Sequence, residues 1–416
     1  MQRGSFLCRI SVCSRSIEDW LGRGDGVDCK AQVSAEIEKK RKILEELALT
    51  IGANPELGFA EFKAARLLTE VLEESGYAVT RGIAGLETAF CAVLGRGRPN
   101  IAFLCEYDAL PGLGHACGHN LIGTASVGAA LGLAPFLGEL GGTITVFGTP
   151  AEETGSGKVI LVEAGLFDQV DAAMMFHPSN QNLLMATSTA LDAYEFEYLG
   201  KAAHAADSPE WGINALDGVI ALFHGVNALR EHVPEGVRMH GIISEGGKAA
   251  NIVPERAVAR FYLRAPSREM LNSITARVLD VAQGAALMTG TRVNYKEFEL
   301  GTDDLKPSHS MALAFGANLQ RLGVTDIAEF AIGRGSSDMG NVSRVVPAIH
   351  PHLSIGDDLV AHTPEFAQAS QGEKGLQVAI TAAQALAFTA LDLLSDPLLL
   401  ETVKHEYASV RGHERR

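Results

Sequence analysis

The chain has 416 residues, of which 47% are hydrophobic and 20% charged, a composition typical of folded proteins long enough for two domains. Its formal net charge of −15 argues against a nucleic-acid partner, which requires clustered lysine and arginine. Six cysteines without the dense spacing of a disulfide scaffold indicate a reducing compartment, so we expect a cytoplasmic protein. A small molecule or a peptide is the expected partner.

Residues 1–33 are predicted to be an N-terminal extension, which could be disordered or could follow from a misassigned start codon. Residues 1–16 contain three arginines and no acid, which only faintly resembles an organellar transit sequence. The longest apolar run, residues 121–137, is interrupted by Pro135 and is shorter than the roughly 18 to 20 residues of a membrane span. We therefore expect a buried helix there and no membrane partner.

Helical and β-rich patterns alternate along the first half of the chain. In order, the predicted elements are helices 34–50 and 61–74, strands 86–94 and 100–105, helix 118–137, strand 143–149, a helix from about residue 158, and strand 171–176. The glycine-rich connection at residues 95–99 is typical of a hairpin between the first two strands. This alternation predicts an α/β domain with a largely parallel sheet.

Residues 190–300 follow another order, which is strand, helix, strand, strand, helix, strand. The predicted elements are 193–199, 214–231, 238–244, 256–264, 268–287 and 292–298. This β-α-β-β-α-β order is that of the split ferredoxin-like unit. Residues 313–322, 348–355 and a helix at 371–394 then resume the α/β pattern. The sequence thus predicts a ferredoxin-like domain, residues 190–300, inserted into a discontinuous α/β domain of residues 34–189 and 301–416.

Polar side chains follow three of the predicted strands. Asp108 comes after the strand ending near residue 105, Glu152 and Glu153 after the strand ending at 149, and His177 after the strand ending at 176. Ligands of open α/β sheets bind beyond the carboxyl ends of the strands. The placement therefore favours a functional site at one edge of the sheet.

Thiol, imidazole and carboxylate side chains are the ligands of catalytic first-row metals. The predicted ligands are Cys117, His119, Glu153, His177 and His362. Five protein donors exceed the usual set for one catalytic zinc, which favours two ions bridged by a water and roughly 3.5 to 4 Å apart. Whether Cys117 bridges them stays open, because aspartate is the commoner bridging residue.

Two acids beside the predicted ligands receive other roles. Glu152 is the predicted general base, which takes a proton from the bridging water and returns it to the leaving amine. Asp108 is expected to orient a ligand imidazole through its carboxylate. The run from Gly155 to Lys158 is similar to a phosphate loop, but Val159 stands where Ser or Thr is required and the leading glycine is missing. A phosphate-binding loop is therefore rejected.

Four motifs together resemble the zinc aminoacylase/carboxypeptidase family of dinuclear amidohydrolases. They are Asp108-Ala109-Leu110-Pro111, His115-Ala116-Cys117-Gly118-His119, Pro150-Ala151-Glu152-Glu153 and Lys201-Ala202-Ala203-His204-Ala205. The resemblance covers roughly residues 34–395. Glu106-Tyr107-Asp108, Asn120, residues 335–343, Val346-Pro347 and His362-Thr363 are most similar to one branch, that of the aminobenzoyl-glutamate hydrolase B subunit and the β-alanyl-lysine dipeptidase.

The resemblance implies a phosphorylase/hydrolase-like metallopeptidase catalytic domain whose inserted domain acts as a lid and joins two chains in a homodimer. The five ligand residues fall at the family's metal positions, and the implied cofactors are two Zn²⁺ or Mn²⁺ ions, with Co²⁺ as a further candidate. His204 matches a lid histidine that crosses the dimer to polarise the scissile carbonyl. The implied substrate-binding residues are Asn251, Arg264 and, in the loop 334–340, Ser337.

The expected activity is hydrolysis of the amide bond in dipeptides or in N-acyl or N-aroyl amino acids. Two alternatives remain open at this point, a specialised amidohydrolase of the aminobenzoyl-glutamate type and a non-catalytic binding protein on the same scaffold. Ile213 stands where such proteins often carry a polar or basic residue, which leaves side-chain specificity open.

Overall fold

The computed structural model describes residues 28–333 and 335–414. Most of the predicted N-terminal extension lies outside the described residues. Its last part is helical from Cys29, because Asp28 caps the helix by accepting hydrogen bonds from the backbone N–H groups of Lys30 and Ala31. The folded part of the chain therefore begins before the predicted boundary at residue 34.

The helices and strands alternate much as the sequence predicts. In chain order the helices are α1 (Cys29–Lys39), α2 (Arg41–Gly52), α3 (Phe62–Glu74), α4 (His119–Leu133), α5 (Leu137–Leu140), α6 (Gly157–Glu163), α7 (Ala215–Leu229), α8 (Arg268–Thr289), α9 (His309–Arg321), α10 (Met339–Ser343), α11 (Pro364–Ala369), α12 (Glu373–Ser395) and α13 (Pro397–Glu414). The strands are β1 (Ala78–Arg81), β2 (Phe90–Arg96), β3 (Asn100–Cys105), β4 (Gly142–Gly148), β5 (Ala172–Met174), β6 (His177–Ser179), β7 (Leu183–Ala186), β8 (Ala190–Leu199), β9 (Arg238–Glu245), β10 (Arg256–Ala265), β11 (Arg292–Thr302), β12 (Ala328–Ala331), β13 (Ala348–Ile349) and β14 (His352–Ser354).

The largest sheet is mixed, with six strands in the order β1-β2-β4-β3-β5-β13. Strands β4, β3, β5 and β13 are parallel, whereas β1 pairs with β2 and β2 with β4 in antiparallel fashion. The predicted hairpin between β2 and β3 is wrong, because β4 lies between these two strands. A glycine-rich connection marks a turn, but it does not report which strand from farther along the chain will occupy the neighbouring position.

Two further sheets have four strands each. One has the order β12-β7-β14-β6 and is made of short strands, most of which the sequence patterns do not reveal. The other has the order β11-β8-β10-β9, is antiparallel throughout, and carries α7 and α8 on one face. Its elements follow one another as β-α-β-β-α-β within residues 190–302.

The buried apolar residues form two clusters, one around the largest sheet and one between α7, α8 and the antiparallel sheet. Helix α4 and helix α12 cross the first cluster. The stretch His119–Leu140 and helix Glu373–Ser395 are each long and apolar enough to cross a membrane, but 78% and 83% of their apolar windows are buried in the protein. Such burial is typical of core helices, which pass the same test of length and composition.

Candidate metal centre and active site

The carboxyl ends of three adjacent parallel strands bring polar residues to one edge of the largest sheet. Strand β3 lies between β4 and β5. Asp108 follows β3, the pair Glu152 and Glu153 follows β4, and His177 follows β5. His362 joins them from the far end of the chain, and its backbone N–H donates to the carbonyl of Ala116 at 2.9 Å. The structure thus brings the side chains that follow these strands to one edge of the sheet, as the sequence predicts.

Gly118 allows Cys117 and His119 to face the same centre. It precedes helix α4 with φ 78°, in the left-handed region that glycine adopts without a steric penalty. A Cβ atom added at Gly118 would stand 2.4 Å from the Cγ atom of Pro178, the residue after His177. A larger residue here would thus push apart the two segments that carry the thiol and both imidazoles.

The five predicted ligand residues lie together. Cys117 Sγ is 3.4 Å from His177 Nε2, and His362 Nε2 is 3.3 Å from Glu153 Oε1. His119 Nε2 is 3.9 Å from the same Glu153 oxygen. Ligand-type atoms of Cys117, His119 and His177 lie within 4.8 Å of one another, as do those of Cys117, Glu153 and His362. Cys117 is common to both groups.

Hydrogen bonds fix which nitrogen of two imidazoles faces the centre. His119 Nδ1 lies 2.9 Å from Asp108 Oδ1, the contact expected from the sequence, and His177 Nδ1 lies 2.7 Å from the carbonyl of Pro178. Both oxygens are acceptors, so each Nδ1 carries a proton. Nε2 of each ring is then the nitrogen presented to the centre.

The centre attracts positive charge. Of the atoms in the described part of the chain, Glu106 Oε2 and His119 Nε2 are buried without a hydrogen-bond partner, although they lie 3.4 Å apart. Although burial opposes it, the charges of Asp108 and Glu106 raise the pKa of His119 well above its usual range. Lone pairs that face each other in a buried site require a proton or a metal cation between them. The donor set of thiol, imidazole and carboxylate fits such cations.

Glu152 stands between this centre and a second group of acids. Its carboxylate lies within 4.8 Å of ligand-type atoms of His119 and Glu153 on one side, and of Glu106 and Asp338 on the other. Burial and the neighbouring charges of Glu106 and Asp338 raise its pKa well above the usual range. Glu152 is thus suited to accept a proton.

The acids behind Glu152 are neutralised by a lysine that sequence reasoning missed. Lys158 is fully buried, and its Nζ donates to Glu106 Oε1 at 2.5 Å and to Asp338 Oδ1 at 2.6 Å. Its backbone N–H donates to the second oxygen of Asp338 at 2.9 Å. The rejected phosphate-loop motif therefore supplies an internal cation. A signal was present, since a single lysine followed by four apolar residues predicts a partly buried position.

Two more histidines beside the centre also escaped the sequence analysis. The ring centroids of His350 and His352 each lie 5.4 Å from that of His177. Burial, together with the neighbouring histidines, lowers the pKa of His350 well below its usual range and that of His352 to about 3. Both are neutral at physiological pH, so they add no charge next to His177.

A cavity of about 500 Å³ opens onto the centre. Its lining includes Cys117, Glu152, Glu153, His177 and His362 of the centre, and also residues of β10 and β11 and of the loop before α10. Two of the predicted substrate-binding residues, Arg264 and Ser337, line it. Arg264 Nη1 donates to Ser336 Oγ at 2.8 Å, which joins strand β10 to the loop before α10.

The other two lid residues of the prediction lie elsewhere. His204 and Asn251 are exposed and do not line the cavity of this chain. They are neighbours, since His204 forms a bridge with Ile252. His204 Nδ1 accepts hydrogen bonds from the backbone N–H groups of Ala206 and Asp207 at 3.2 and 3.1 Å. Nε2 therefore carries the ring proton and can donate it to an acceptor.

A buried glutamate supports the turn that presents Glu152. Glu61 is fully buried, and its carboxylate accepts hydrogen bonds from Thr88 Oγ1 and from the backbone N–H of Ala151, both at 2.8 Å. Ala151 has φ 58°, a left-handed conformation that costs a non-glycine residue about 1 kcal/mol or more. The carboxylate of Glu61 helps to hold this strained residue directly before Glu152.

Glu61 makes stability depend on pH. Burial raises its pKa to about 7, from 4.5 in the unfolded chain. The folded state then binds more protons than the unfolded state between these values, so this contribution to stability falls as pH rises from 4.5 to 7.

Glu61→Gln should remove that dependence, and above pH 7 it should be more stable than the wild type by up to ~3 kcal/mol. Urea unfolding at pH 5 and pH 8 measures the difference, and Glu74→Gln, at the exposed end of the same helix, should show none. If the free energy of unfolding changed with pH equally in the wild type and in Glu61→Gln, Glu61 would not be the source of the pH dependence.

Comparisons with known proteins agree with this geometry. The model of the peptidase family M20/M25/M40 matches residues 102–385. The chain is 38% identical over 395 residues to the Xaa-Arg dipeptidase of Mus musculus, covering 91% of this chain and 92% of that protein. It is also 38% identical over 311 residues to the B subunit of p-aminobenzoyl-glutamate hydrolase of Escherichia coli (strain K12), covering 70% of this chain and 64% of that one. The aminobenzoyl-glutamate utilization protein from Klebsiella pneumoniae has the same fold, with a TM-score of 0.72 at 21% identity over 87% of this chain and 98% of that one.

An α/β fold that gathers imidazole, carboxylate and thiol groups at strand ends beside a cavity defines a hydrolase of the metallopeptidase class. The chain belongs to the peptidase family M20/M25/M40. The family resemblance carried by the sequence motifs is thereby confirmed, and the protein is an enzyme.

Proposed function

We propose that this protein is a metal-dependent amidohydrolase that cleaves the amide bond of dipeptides or N-acyl amino acids. The observation that carries the proposal is the meeting of five ligand-type side chains with Glu152 at one end of a cavity. The cavity is large enough for a small substrate and too small for a folded protein. The names of the relatives, a dipeptidase and an aminobenzoyl-glutamate hydrolase, support amide substrates.

The donor set would hold two divalent ions. Cys117, His119 and His177 form one group and Cys117, Glu153 and His362 the other, with the thiol as the shared ligand. Zn²⁺, Mn²⁺ and Co²⁺ all accept such mixed donors. Bound ions of this kind lower the pKa of a water molecule and polarise a carbonyl group.

Glu152 would act as the general base. Bound cations beside it would favour its ionised form before the reaction, and the carboxylate takes a proton from the water that attacks the scissile carbonyl. Burial and the neighbouring acids raise its pKa and favour the protonated form that results. Glu152 then gives the proton to the leaving amine nitrogen. Lys158 keeps Glu106 and Asp338 paired behind it. Arg264 and Ser337, which also line the cavity, would bind the free carboxylate end of the substrate.

Residues 190–300 would form a ferredoxin-like lid that also joins two chains, inserted between the two parts of a catalytic domain, residues 34–189 and 301–416. In such a dimer His204 Nε2 of one chain would donate to the substrate carbonyl in the other, with Asn251 beside it. The exposure of both residues and the proton on Nε2 support this role. Full activity from a species of monomeric mass in sedimentation would exclude it. A cytoplasmic location remains a proposal based on the cysteines.

A substrate panel and metal removal test the proposed function. The purified chain is loaded separately with Zn²⁺, Mn²⁺ or Co²⁺ and assayed on dipeptides, N-acyl amino acids and p-aminobenzoyl-glutamate. We expect about two ions bound per chain, release of a free amino acid, and loss of nearly all activity after chelation, restored by adding back the metal. Binding of less than one ion per chain after supplementation would favour a non-catalytic protein instead.

A further inference from the structure

The part of the cavity wall that does not contain the candidate metal ligands is built on the antiparallel sheet. Residues paired across antiparallel strands share a face, and Tyr262 on β10 and Glu299 on β11 are both paired with Ala193 on the strand between them. Tyr262 Oη donates to Glu299 Oε1 at 2.5 Å across this small residue. Arg264, two residues beyond Tyr262, lies on the same face.

A β-bulge brings Glu299 to this face. Glu297 pairs with Tyr194, and the register shifts before Glu299, which pairs with Ala193. An unbroken register would pair Glu299 with Asp192, whose carboxylate binds Arg268 and Thr275 on the helix side of the sheet. Bulges re-aim side chains next to active sites. Here the bulge turns a carboxylate from the helix side towards the cavity.

The wall of the cavity thus carries one cation and one anion that form no direct ion pair with each other in the described residues. Within residues 28–333 and 335–414, Arg264 bonds to the Ser336 hydroxyl and lies over the Tyr262 ring at 6.0 Å, and it forms no ion pair. Over the same residues, no lysine, arginine or histidine forms an ion pair with Glu299. Glu152 and Glu153 lie at the metal end, and Asp338 is bonded to Lys158, so Glu299 is the carboxylate left for a substrate group.

We propose that Glu299, held in place by Tyr262, is a specificity-determining residue that selects substrates whose C-terminal residue has a cationic side chain. The proposal rests on the proposed function, in which Arg264 binds the free carboxylate of that residue. A lysine or arginine residue carries a carboxylate at one end and a cation at the end of a flexible stem. On the wall of the cavity the guanidinium of Arg264 lies over the ring of Tyr262, and the carboxylate of Glu299 accepts from the hydroxyl of the same tyrosine. The two charges match the two ends of such a residue.

Two dipeptides that differ only in the terminal ammonium test this assignment, alanyl-lysine and alanyl-norleucine. The wild-type enzyme, loaded with metal, should have a kcat/KM at least about tenfold higher for alanyl-lysine. Glu299→Gln should lower that ratio about tenfold or more through KM for the lysyl substrate, and should leave kcat/KM for alanyl-norleucine within about twofold. Tyr262→Phe should lower the ratio by a smaller factor, because the carboxylate remains but loses its donor.

Glu297→Gln is the matched control. It lies on the same strand and also accepts a hydrogen bond from a tyrosine, Tyr194 at 3.0 Å, but it does not line the cavity. In this variant the ratio of kcat/KM for alanyl-lysine to kcat/KM for alanyl-norleucine should equal that of the wild type. An unchanged ratio in Glu299→Gln, or an equal loss on both substrates, would overturn the role of Glu299 while leaving amide hydrolysis intact. Hydrolysis of neither dipeptide by the wild type would overturn the proposed function and the inference with it.

Discussion

Glu152→Gln is expected to lower kcat at least about 10³-fold while the protein keeps its fold and its capacity to bind metal. The amide has nearly the shape of the carboxylate but cannot take a proton from water. Glu152 is surrounded by Glu106, Glu153 and Asp338, so removing one negative charge should relieve repulsion rather than add it. The measurements are kcat and KM, metal content per chain and the melting temperature. Glu163→Gln, at an exposed position in the helix that follows, should behave as the wild type.

The adjacent acid provides a contrast. Although burial opposes it, contact with His362 and the charge of His119 lower the pKa of Glu153, so this carboxylate is ionised and suited to bind a cation. Glu153→Gln should therefore reduce metal content as well as activity. If Glu152→Gln retained more than a few per cent of kcat, or if it lost metal as Glu153→Gln should, the assignment of the base would be wrong.

Lys158→Met is expected to destabilise the protein by about 3 to 5 kcal/mol. The substitution keeps most of the apolar stem but leaves the carboxylates of Glu106 and Asp338 buried without their cation. Removing one partner of a buried ion pair costs far more stability than removing one partner of an exposed pair, because an exposed pair contributes only about 0.5 kcal/mol. Urea unfolding measures the loss. Lys39→Met, in an exposed pair with Glu36, should change the free energy of unfolding by less than about 0.5 kcal/mol.

A double variant keeps this prediction testable even where the single one folds poorly. Asp338→Asn removes one of the charges that Lys158 neutralises. The pair Lys158→Met with Asp338→Asn should therefore lose less stability than the sum of the two single changes. A loss below about 1 kcal/mol for Lys158→Met, or strict additivity in the double variant, would contradict the role of the lysine as an internal cation.

Local patterns predicted much of the fold and fell short where distant segments meet. The six elements of residues 190–302 appear at nearly the predicted bounds, because each has its own periodicity and ends at turn residues. The pairing of β2 was mispredicted, since its neighbour β4 begins at Gly142. Strands β6, β7 and β12 have three or four residues each, too few for any alternation to be recognised.

The candidate site shows the same division. Glu153 and His177 could be placed together because each follows a predicted strand, and Cys117 and His119 because a thiol and an imidazole stand two residues apart in a motif of the resembled family. Lys158 could not, since its partners Glu106 and Asp338 are 52 and 180 residues away and no spacing rule connects them. His350 and His352 have no motif of their own. They come beside His177 only because β14 pairs with β6.

The candidate metal ligands lie before and after residues 190–302 in the sequence, and this determines when the centre can form during synthesis of the chain. Cys117, Glu153 and His177 leave the ribosome long before His362, which docks on the Ala116 carbonyl, and before helix Glu373–Ser395, which packs on the helix that begins at His119. Domains generally fold as their chain emerges, but this centre has to wait for almost the whole polypeptide. A growing chain, or one cut short before His362, therefore lacks one side chain of the group Cys117, Glu153 and His362, and we expect hydrolytic activity only after that segment has been made.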